Sequence, residues 1–259
     1  MESQPTKVLT LAPSVSPLQI RKFGATLTCD LIRSVSTLTY GGTLTVTATG
    51  DVLAAGDSFK LFDAVTYAGA FASYDLPVLG AGLGWNTWEL AVNGTLIVKP
   101  VVSVSGSLAL EGYVGPNHNG TGQRTVRFVA TDIDNNVMGT WDVPLIFAAD
   151  SKGNVVAGYT LPNVLDGAAH LSAKTAWTLR KRLDLTFADG AAVADFTGAA
   201  MLPAGDLDGS NRVGPEDYHL LAAAWYQVND AADLDGSGEV DFTDYFLLSN
   251  RWGQSGDPE

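Results

Sequence analysis

Cysteine and histidine are scarce in this chain of 259 residues, which contains one cysteine and three histidines. The single cysteine, Cys29, excludes an intrachain disulfide framework and a cysteine-rich metal site, and we expect it to be a small core residue. The histidines are dispersed, and no two have the spacing of a zinc site. The sequence therefore gives no sign of a fold held together by intrachain disulfides or by a cysteine-rich or histidine-rich metal site.

Long apolar segments are also missing, because no stretch approaches the roughly 18 residues that a membrane-spanning helix needs. The N-terminal run Val8–Leu11 is followed by Pro13 and Pro17, which is not the pattern of a signal peptide. We therefore expect either that the chain is exported by another route or that it is the C-terminal part of a larger protein. We favour the second interpretation.

Basic residues are few, and the acidic residues are concentrated at one end. The net charge is −13, and residues 204–259 contain 12 acidic and 2 basic side chains, so that segment alone carries −10. The absence of a basic patch argues against nucleic-acid binding.

Catalytic motifs are missing as well. Outside the acidic segment the glutamates are Glu2, Glu89 and Glu111, and the pair Glu89–Glu111 crosses an expected domain boundary, which disfavours a glycosidase pair. No serine lies in a nucleophile-elbow motif, and no glycine run forms a phosphate loop. We predict that the chain is not an enzyme.

The acidic segment contains a duplicated loop. Residues 206–217 and 233–244 place oxygen-bearing side chains at loop positions 1, 3, 5 and 12, and 12 of the 22 positions in 206–227 are identical in 233–254. A tight loop with this spacing delivers the oxygen ligands that Ca²⁺ requires, so two structural calcium sites are predicted. The predicted ligands are Asp206, Asp208, Ser210, the Arg212 carbonyl and Asp217 in the first loop, and Asp233, Asp235, Ser237, the Glu239 carbonyl, Asp241 and Asp244 in the second.

The two loops are not identical in their donors. Asp241 at position 9 adds a carboxylate directly or through water, whereas Gly214 at the matching position cannot, so the second site should bind more tightly. Val213 and Val240, at position 8, are expected to pair as a short ladder between the loops.

Each loop is followed by an apolar helical run. Residues at spacings of 3, 4 and 7 place aromatic and leucine side chains on one helical face. The first run contains Tyr218, Leu220, Leu221 and Trp225, and the second repeats them as Tyr245, Leu247, Leu248 and Trp252.

Residues 205–254 resemble a type I dockerin, a pair of loop-plus-helix half EF-hands with Asp at position 12. Dockerins lie at the ends of secreted polysaccharide-degrading enzymes and bind cohesin domains on a scaffold. The resemblance implies calcium-dependent docking of a cohesin-like protein domain, a link to polysaccharide and a secreted or cell-surface location. The pair at positions 10 and 11, often Ser-Thr in dockerins, is Pro215-Glu216 and Phe242-Thr243 here. Calcium binding therefore carries over to this sequence, but binding to a standard cohesin does not.

Residues 25–101 have a β pattern, with alternating threonine and apolar residues around Gly41-Gly42. This segment resembles the closing part of autotransporter-associated β-strand repeat proteins, which implies a parallel β-solenoid end. The resemblance rests on Gly41–Val46, Ala55–Asp63, Gly84–Thr87 and Val92–Leu96. Residues 1–24 fit no pattern and are expected to be a disordered or atypical start.

Residues 102–203 contain seven short candidate strands separated by turn residues, which indicates a β-sandwich spacer. The candidate strands are 103–112, 124–131, 139–147, 155–159, 169–174, 179–187 and 192–196. The segment resembles prealbumin-like or carboxypeptidase-regulatory-like sandwiches at Leu108–Tyr113, Tyr159–Val164 and His170–Lys174.

The predicted fold class is therefore mainly β, a β-solenoid end plus a β-sandwich, with a small all-α calcium-binding module over 204–259. The predicted function is that of a non-catalytic anchoring module. Two alternatives stay open: a carbohydrate-binding module that uses Trp85 or Trp88, and a purely structural tip whose helices pack on the chain's own sandwich.

Overall fold

The computed structural model describes residues 8–10, 17–115 and 121–258. β-Strands dominate this part of the chain. The strands are β1 (Val8–Thr10), β2 (Leu18–Phe23), β3 (Thr26–Cys29), β4 (Ile32–Tyr40), β5 (Thr43–Gly50), β6 (Ser58–Lys60), β7 (Phe62–Gly69), β8 (Ser73–Asp75), β9 (Leu83–Asn86), β10 (Thr95–Ala109), β11 (Gly122–Thr131), β12 (Val137–Ala149), β13 (Val155–Leu165), β14 (His170–Lys174), β15 (Lys181–Asp184) and β16 (Ala191–Val193). The helices are α1 (Glu89–Asn93), α2 (Pro215–Ala223) and α3 (Phe242–Asn250), with a 3₁₀ turn at Gly198–Ala200.

The chain divides into two compact units, Met1–Val101 and Val102–Glu259. In the first unit, β1, β4 and β7 pair in parallel in one sheet, and β2, β5 and β8 pair in parallel in another, with β3 antiparallel to β2. Gly42 has φ 65° and connects β4 to β5, so the chain changes sheet at a residue that tolerates positive φ. Buried residues of both sheets, among them Ile20, Leu38 and Val46, form one hydrophobic core.

Part of the segment 1–24 belongs to these sheets. β1 and β2 lie within it, although the sequence pattern predicted a disordered or atypical start there. The remaining positions that this prediction covers include residues 1–7 and 11–16, which lie outside the described residues.

The second unit contains a β-sandwich. Its strand order is β15-β14-β11-β12-β13-β10-β16. The first three pairs in this order, β15 with β14, β14 with β11 and β11 with β12, are antiparallel. The ring of Phe128 on β11 lies 4.5 Å from that of Tyr159 on β13 and 6.3 Å from that of Phe196, so aromatic residues from several strands share one core. Strands overlap each of the seven segments in which the sequence predicted a strand.

The predicted fold class is wrong. The described chain is mainly β with few helices, and residues 204–258 do not form a separate all-α module, because they belong to the same compact unit as the sandwich. α2 and α3 have nine residues each. Helices this short bury too little apolar surface to be stable alone, so they depend on tertiary packing. The Leu247 side chain of α3 packs directly over Gly112, three residues after the end of β10.

None of the helices in the described ranges is long and apolar enough to cross a membrane.

Candidate metal centres in the paired acidic loops

The aspartate at position 12 closes each acidic loop. In the first loop, Asp217 Oδ1 accepts hydrogen bonds from the backbone N–H groups of Leu207 and Asp208 at 2.7 and 3.0 Å. Its Oδ2 accepts from the Gly214 N–H at 2.7 Å. One carboxylate therefore joins the beginning of the loop to the first turn of α2, where acidic residues are favourable.

The second loop repeats this arrangement. Asp244 Oδ1 accepts from the N–H groups of Leu234 and Asp235 at 2.6 and 3.2 Å, and its Oδ2 accepts from the Asp241 N–H at 2.8 Å. The sequence repeat is thus also a repeat of hydrogen bonds, 27 residues further along the chain.

Each loop gathers three carboxylates, and within each set one oxygen per residue lies within 4.8 Å of the others. The two sets are Asp206, Asp208 and Asp217, and Asp233, Asp235 and Asp244. Asp208 is exposed, and the other five side chains belong to residues at most 2% exposed. At an effective dielectric constant of 20, two charges this close repel by about 3 kcal/mol or more, so each set favours a cation between its members.

The predicted ligands at positions 5 and 7 are also brought together in both loops. Ser210 Oγ lies 3.1 Å from the Arg212 carbonyl oxygen, and Ser237 Oγ lies 3.2 Å from the Glu239 carbonyl oxygen. Each loop therefore combines hydroxyl, carbonyl and carboxylate oxygens, the donor set of a hard cation.

The structure does not bring Asp241 into the second carboxylate set. Its Oδ1 accepts the Thr243 N–H at 2.6 Å, so the side chain caps the N-terminus of α3. Each loop therefore groups three carboxylates, and the second set does not hold the additional one that the sequence predicted.

Burial changes the acidity of these carboxyl groups. It raises the pKa of Asp233 to about 6; the Gly238 N–H opposes this, and the neighbouring carboxylates Asp235 and Asp244 act in the same direction as burial. Burial likewise raises the pKa of Asp206 and of Asp244 above the ordinary value. Without a bound cation, the carboxylates of Asp206, Asp233 and Asp244 are therefore costly to ionise.

Lys174 is a contact of the first loop that the sequence reasoning missed. It ends β14, and its ammonium group donates to Asp206 Oδ2, which also accepts the Asn211 N–H at 3.0 Å. Asp206 Oδ1 is buried and has no hydrogen-bond partner among the described residues. No lysine or arginine of the described ranges pairs with the carboxylates of the second loop. Lys174 lies 32 residues before Asp206, and no local pattern connects the two positions.

The ladder expected between Val213 and Val240 is wrong. Val213 exchanges hydrogen bonds of 2.9 Å with the segment Gly253–Gln254, which follows α3. Val240 does the same with Tyr226–Gln227, which follows α2, at 2.9 and 3.0 Å. Each loop is therefore paired with the segment behind the other helix, and the two copies interlock.

Further contacts attach the paired loops to the sandwich. The Val114 N–H donates to the Asp235 carbonyl at 2.7 Å, and the Arg180 N–H donates to Asn211 Oδ1 at 2.8 Å. Arg251, directly after α3, donates Nε to Glu111 Oε2 at 2.8 Å and Nη2 to Glu111 Oε1 at 2.5 Å. The loops and helices are thus anchored on the sandwich at several points.

The two helices expose an aromatic groove, lined by Tyr218, Tyr245, Ser249 and Trp252, with a volume of about 350 Å³. Tyr218 and Tyr245 are equivalent positions of the repeat, and their ring centroids lie 6.1 Å apart. Both tyrosines are 42% exposed and Trp252 is 52% exposed. The apolar helix face that the sequence predicted is therefore only partly buried. Leu221 and Leu248 are buried, whereas these aromatic side chains remain accessible.

Trp85 and Trp88 do not form an exposed platform. The Trp85 ring packs against the core of the first unit and donates Nε1–H to the Pro77 carbonyl at 2.9 Å. Trp88 is half-buried at the N-terminus of α1. Both side chains are thus partly buried, and neither belongs to the exposed aromatic residues of the described chain.

Fold and site together define a mainly β protein with a sandwich that carries two interlocked acidic loop–helix repeats. No protein-family model matches the chain, and no curated protein matches it. Solved structures that resemble it include two interface mutants of the type II Cohesin-X-Dockerin complex from Acetivibrio cellulolyticus, one mutated at a C-terminal and one at an N-terminal interface. Their identities are 17% and 19%, each match covers 60% of this chain and 97% of the other, and both TM-scores are 0.36. These neighbours are chains of cohesin–dockerin complexes, and a TM-score of 0.36 is too low to carry a functional argument.

Proposed function

We propose that the two acidic loops bind calcium, and that the calcium-bound loops hold α2 and α3 in place as a docking surface for a protein partner. The observation that carries this proposal is the repeated set of three carboxylates, of which five of six members are buried. Calcium suits the donors better than magnesium does, because carboxylate, hydroxyl and carbonyl oxygens on a flexible loop fit its irregular coordination.

The residues that would hold the ions are the two carboxylate sets together with the oxygens at positions 5 and 7. A bound cation would offset the repulsion among the buried carboxylates, so that binding energy becomes folding energy for the loops. Asp217 and Asp244 would transmit this order to the helices, because each already bonds to both ends of its loop.

The proposed partner surface is the aromatic groove between the helices. Exposed tyrosine and tryptophan side chains are typical anchors of protein interfaces. In line with the dockerin-like loop spacing, we propose a cohesin-like domain as the partner, a secreted or cell-surface location, and a non-catalytic anchoring role that is linked to polysaccharide degradation.

The proposal is tested by calcium titration of the full chain after chelator treatment, followed by calorimetry. We expect two binding events, of which D208N should abolish one and D235N the other. The matched control is D230N, because Asp230 is an exposed aspartate that lies outside both carboxylate sets. If the untreated and chelated chains show no heat of binding and identical far-UV circular dichroism, the calcium proposal is wrong.

The docking part of the proposal is tested in the same samples with immobilised type I and type II cohesin domains. Binding should require calcium and should be lost in the double variant Y218A/Y245A. The control is I146A, which removes an exposed apolar side chain from the sandwich instead. Binding that persists in chelator or in the tyrosine variant would contradict the proposed surface.

A second candidate function is that of a structural tip without a partner. It is favoured by the hydrogen bonds that attach the loops and helices to the sandwich, above all the bidentate ion pair of Arg251 with Glu111. In that case calcium would bind and stabilise the chain, but the cohesin domains would not be captured.

A further inference from the structure

Lys174 makes the two acidic loops unequal. The loops match in sequence at most ligand positions, and each gathers three carboxylates. Within the described residues, only the first has an ammonium group from outside the repeat, and that group donates to Asp206, the residue at position 1. The equivalent residue of the second loop, Asp233, accepts hydrogen bonds only from the backbone N–H groups of Ser237 and Gly238 in the described structure.

The ammonium group lies inside the protein. The Lys174 side chain is 16% exposed and that of Asp206 is 0% exposed, so water screens their interaction poorly. Lys174 also donates to the Thr178 carbonyl, which fixes its position beside the loop. It therefore offsets one of the three negative charges of the first loop in the absence of any metal ion.

The contact also determines which oxygen is left for a cation. Asp206 Oδ2 accepts hydrogen bonds from Lys174 and the Asn211 N–H, and Oδ1 is buried with no partner in the part of the chain that the structure describes. A divalent ion that binds Oδ1 would lie on the same carboxylate as the ammonium group and would be repelled by it.

We propose that Lys174 is a resident counter-charge that keeps the first loop closed without calcium and weakens its calcium affinity, so that the second loop is the tighter site and controls the calcium response. This inference rests on the proposed calcium binding. It assigns a specificity-determining role to a sandwich residue that lies outside both loops.

The first test is the order of filling in the full chain. D208N removes a ligand of the first loop, and D235N removes one of the second. We expect the tight calorimetric transition to survive in D208N and to disappear in D235N. A tight transition that disappears in D208N instead would overturn the proposal.

The second test compares D235N with D235N/K174M, in which only the first loop retains its ligands. Removing the ammonium group should tighten calcium binding by about tenfold or more, because a repulsion is removed. A residue with a purely structural role would give weaker binding on substitution, so the direction of the change separates the two explanations. D235N/K181M is the matched control, because Lys181 lies near Asp257 rather than the carboxylate set.

A third measurement needs no lysine variant. In chelator, hydrogen exchange of the unsubstituted chain should be slower in peptides from 206–217 than in those from 233–244. Equal or reversed protection would contradict the proposal.

If the unsubstituted chain binds no calcium at all, the proposed function fails. If D235N binds calcium and its affinity is unaffected by K174M, calcium binding stands and the role of Lys174 is wrong.

Discussion

Asp233 is the residue at which the second loop is most sensitive to pH. Burial raises its pKa to about 6, so the metal-free folded chain takes up a proton there more readily than the unfolded chain does. In chelator this contribution to stability is present at low pH and is lost as the pH rises through about 6. A calcium ion competes with that proton, so calcium affinity should change in the opposite direction.

We predict that the dissociation constant of the second loop for calcium increases by up to tenfold per pH unit below about pH 6. The measurement is calorimetry of D208N, in which only the second loop retains its ligands, between pH 5 and 7.5. Buffers with different ionisation enthalpies would report the released proton. An affinity that stays constant over this range would refute the assignment of the titrating group to Asp233.

The carboxylates themselves could be predicted because their spacing is local and the loop is duplicated. Asp241 shows the limit of that reasoning. An aspartate just before a helix fits both the spacing of a calcium ligand and the position of a helix N-cap. The structure uses it as an N-cap, a position at which aspartate is among the preferred residues. Lys174 could not be found, because a contact across 32 residues leaves no periodic signal.

The loops, as elements, rest on the sandwich in different ways, and a pair of equivalent glycines reveals this. Gly209 and Gly236 occupy position 4 of their loops, with φ of 78° and 72°. A Cβ atom at Gly209 would meet nothing within 4 Å, whereas one at Gly236 would lie 2.2 Å from Tyr113 Cε2. Only the second loop is packed tightly against an aromatic ring of the sandwich at this position.

We therefore predict that G209A destabilises the second unit by about 1 kcal/mol, the ordinary strain of alanine at positive φ. G236A should cost about 1–3 kcal/mol more, because the Tyr113 ring must move. Urea denaturation of both variants, each with calcium and with chelator, measures the difference. Equal losses would mean that Tyr113 adapts freely and that this contact does not anchor the loop.

Element type followed from the sequence better than element packing. The leucines at 220 and 247 are equivalent in the repeat, yet Leu220 is 47% exposed and Leu247 is 8% exposed. The difference arises because Leu247 packs over Gly112, 135 positions earlier in the chain. The sequence repeat predicts two similar helices, but it does not indicate which one packs against the rest of the protein.

At the scale of the whole molecule, residues 102–258 behave as one body in which the acidic segment is integrated. The Arg251–Glu111 pair joins the end of α3 to the sandwich across 140 residues of sequence. Asp257 adds a hydrogen bond from the Arg182 N–H at 2.9 Å. These contacts explain why the compositional boundary near residue 204, so clear in the charge pattern, is not a boundary in space.

We predict that limited proteolysis of the full chain in calcium does not release a fragment that begins near residue 204. R251M should accelerate cleavage there, since it removes a charge-assisted pair of about 1 kcal/mol at this partly exposed position. R212M is the control, because the exposed Arg212 contributes only its backbone carbonyl to the loop. Accumulation of the 204–259 fragment from the unsubstituted chain would show that the segment folds independently.

Asn211 shows how the contacts with the sandwich make the two copies of the repeat different. Asn211 has a positive φ of 63°, as the equivalent Gly238 of the other copy also has a positive φ. The Asn211 side chain accepts a hydrogen bond from the Arg180 N–H and donates one to the Asp257 carbonyl. A glycine could make the turn but could not make these two side-chain hydrogen bonds. A Cβ atom at Gly238 would meet nothing within 4 Å in the described structure. This position of the repeat therefore joins the first copy to Arg180 and Asp257, whereas the equivalent position of the second copy faces open space.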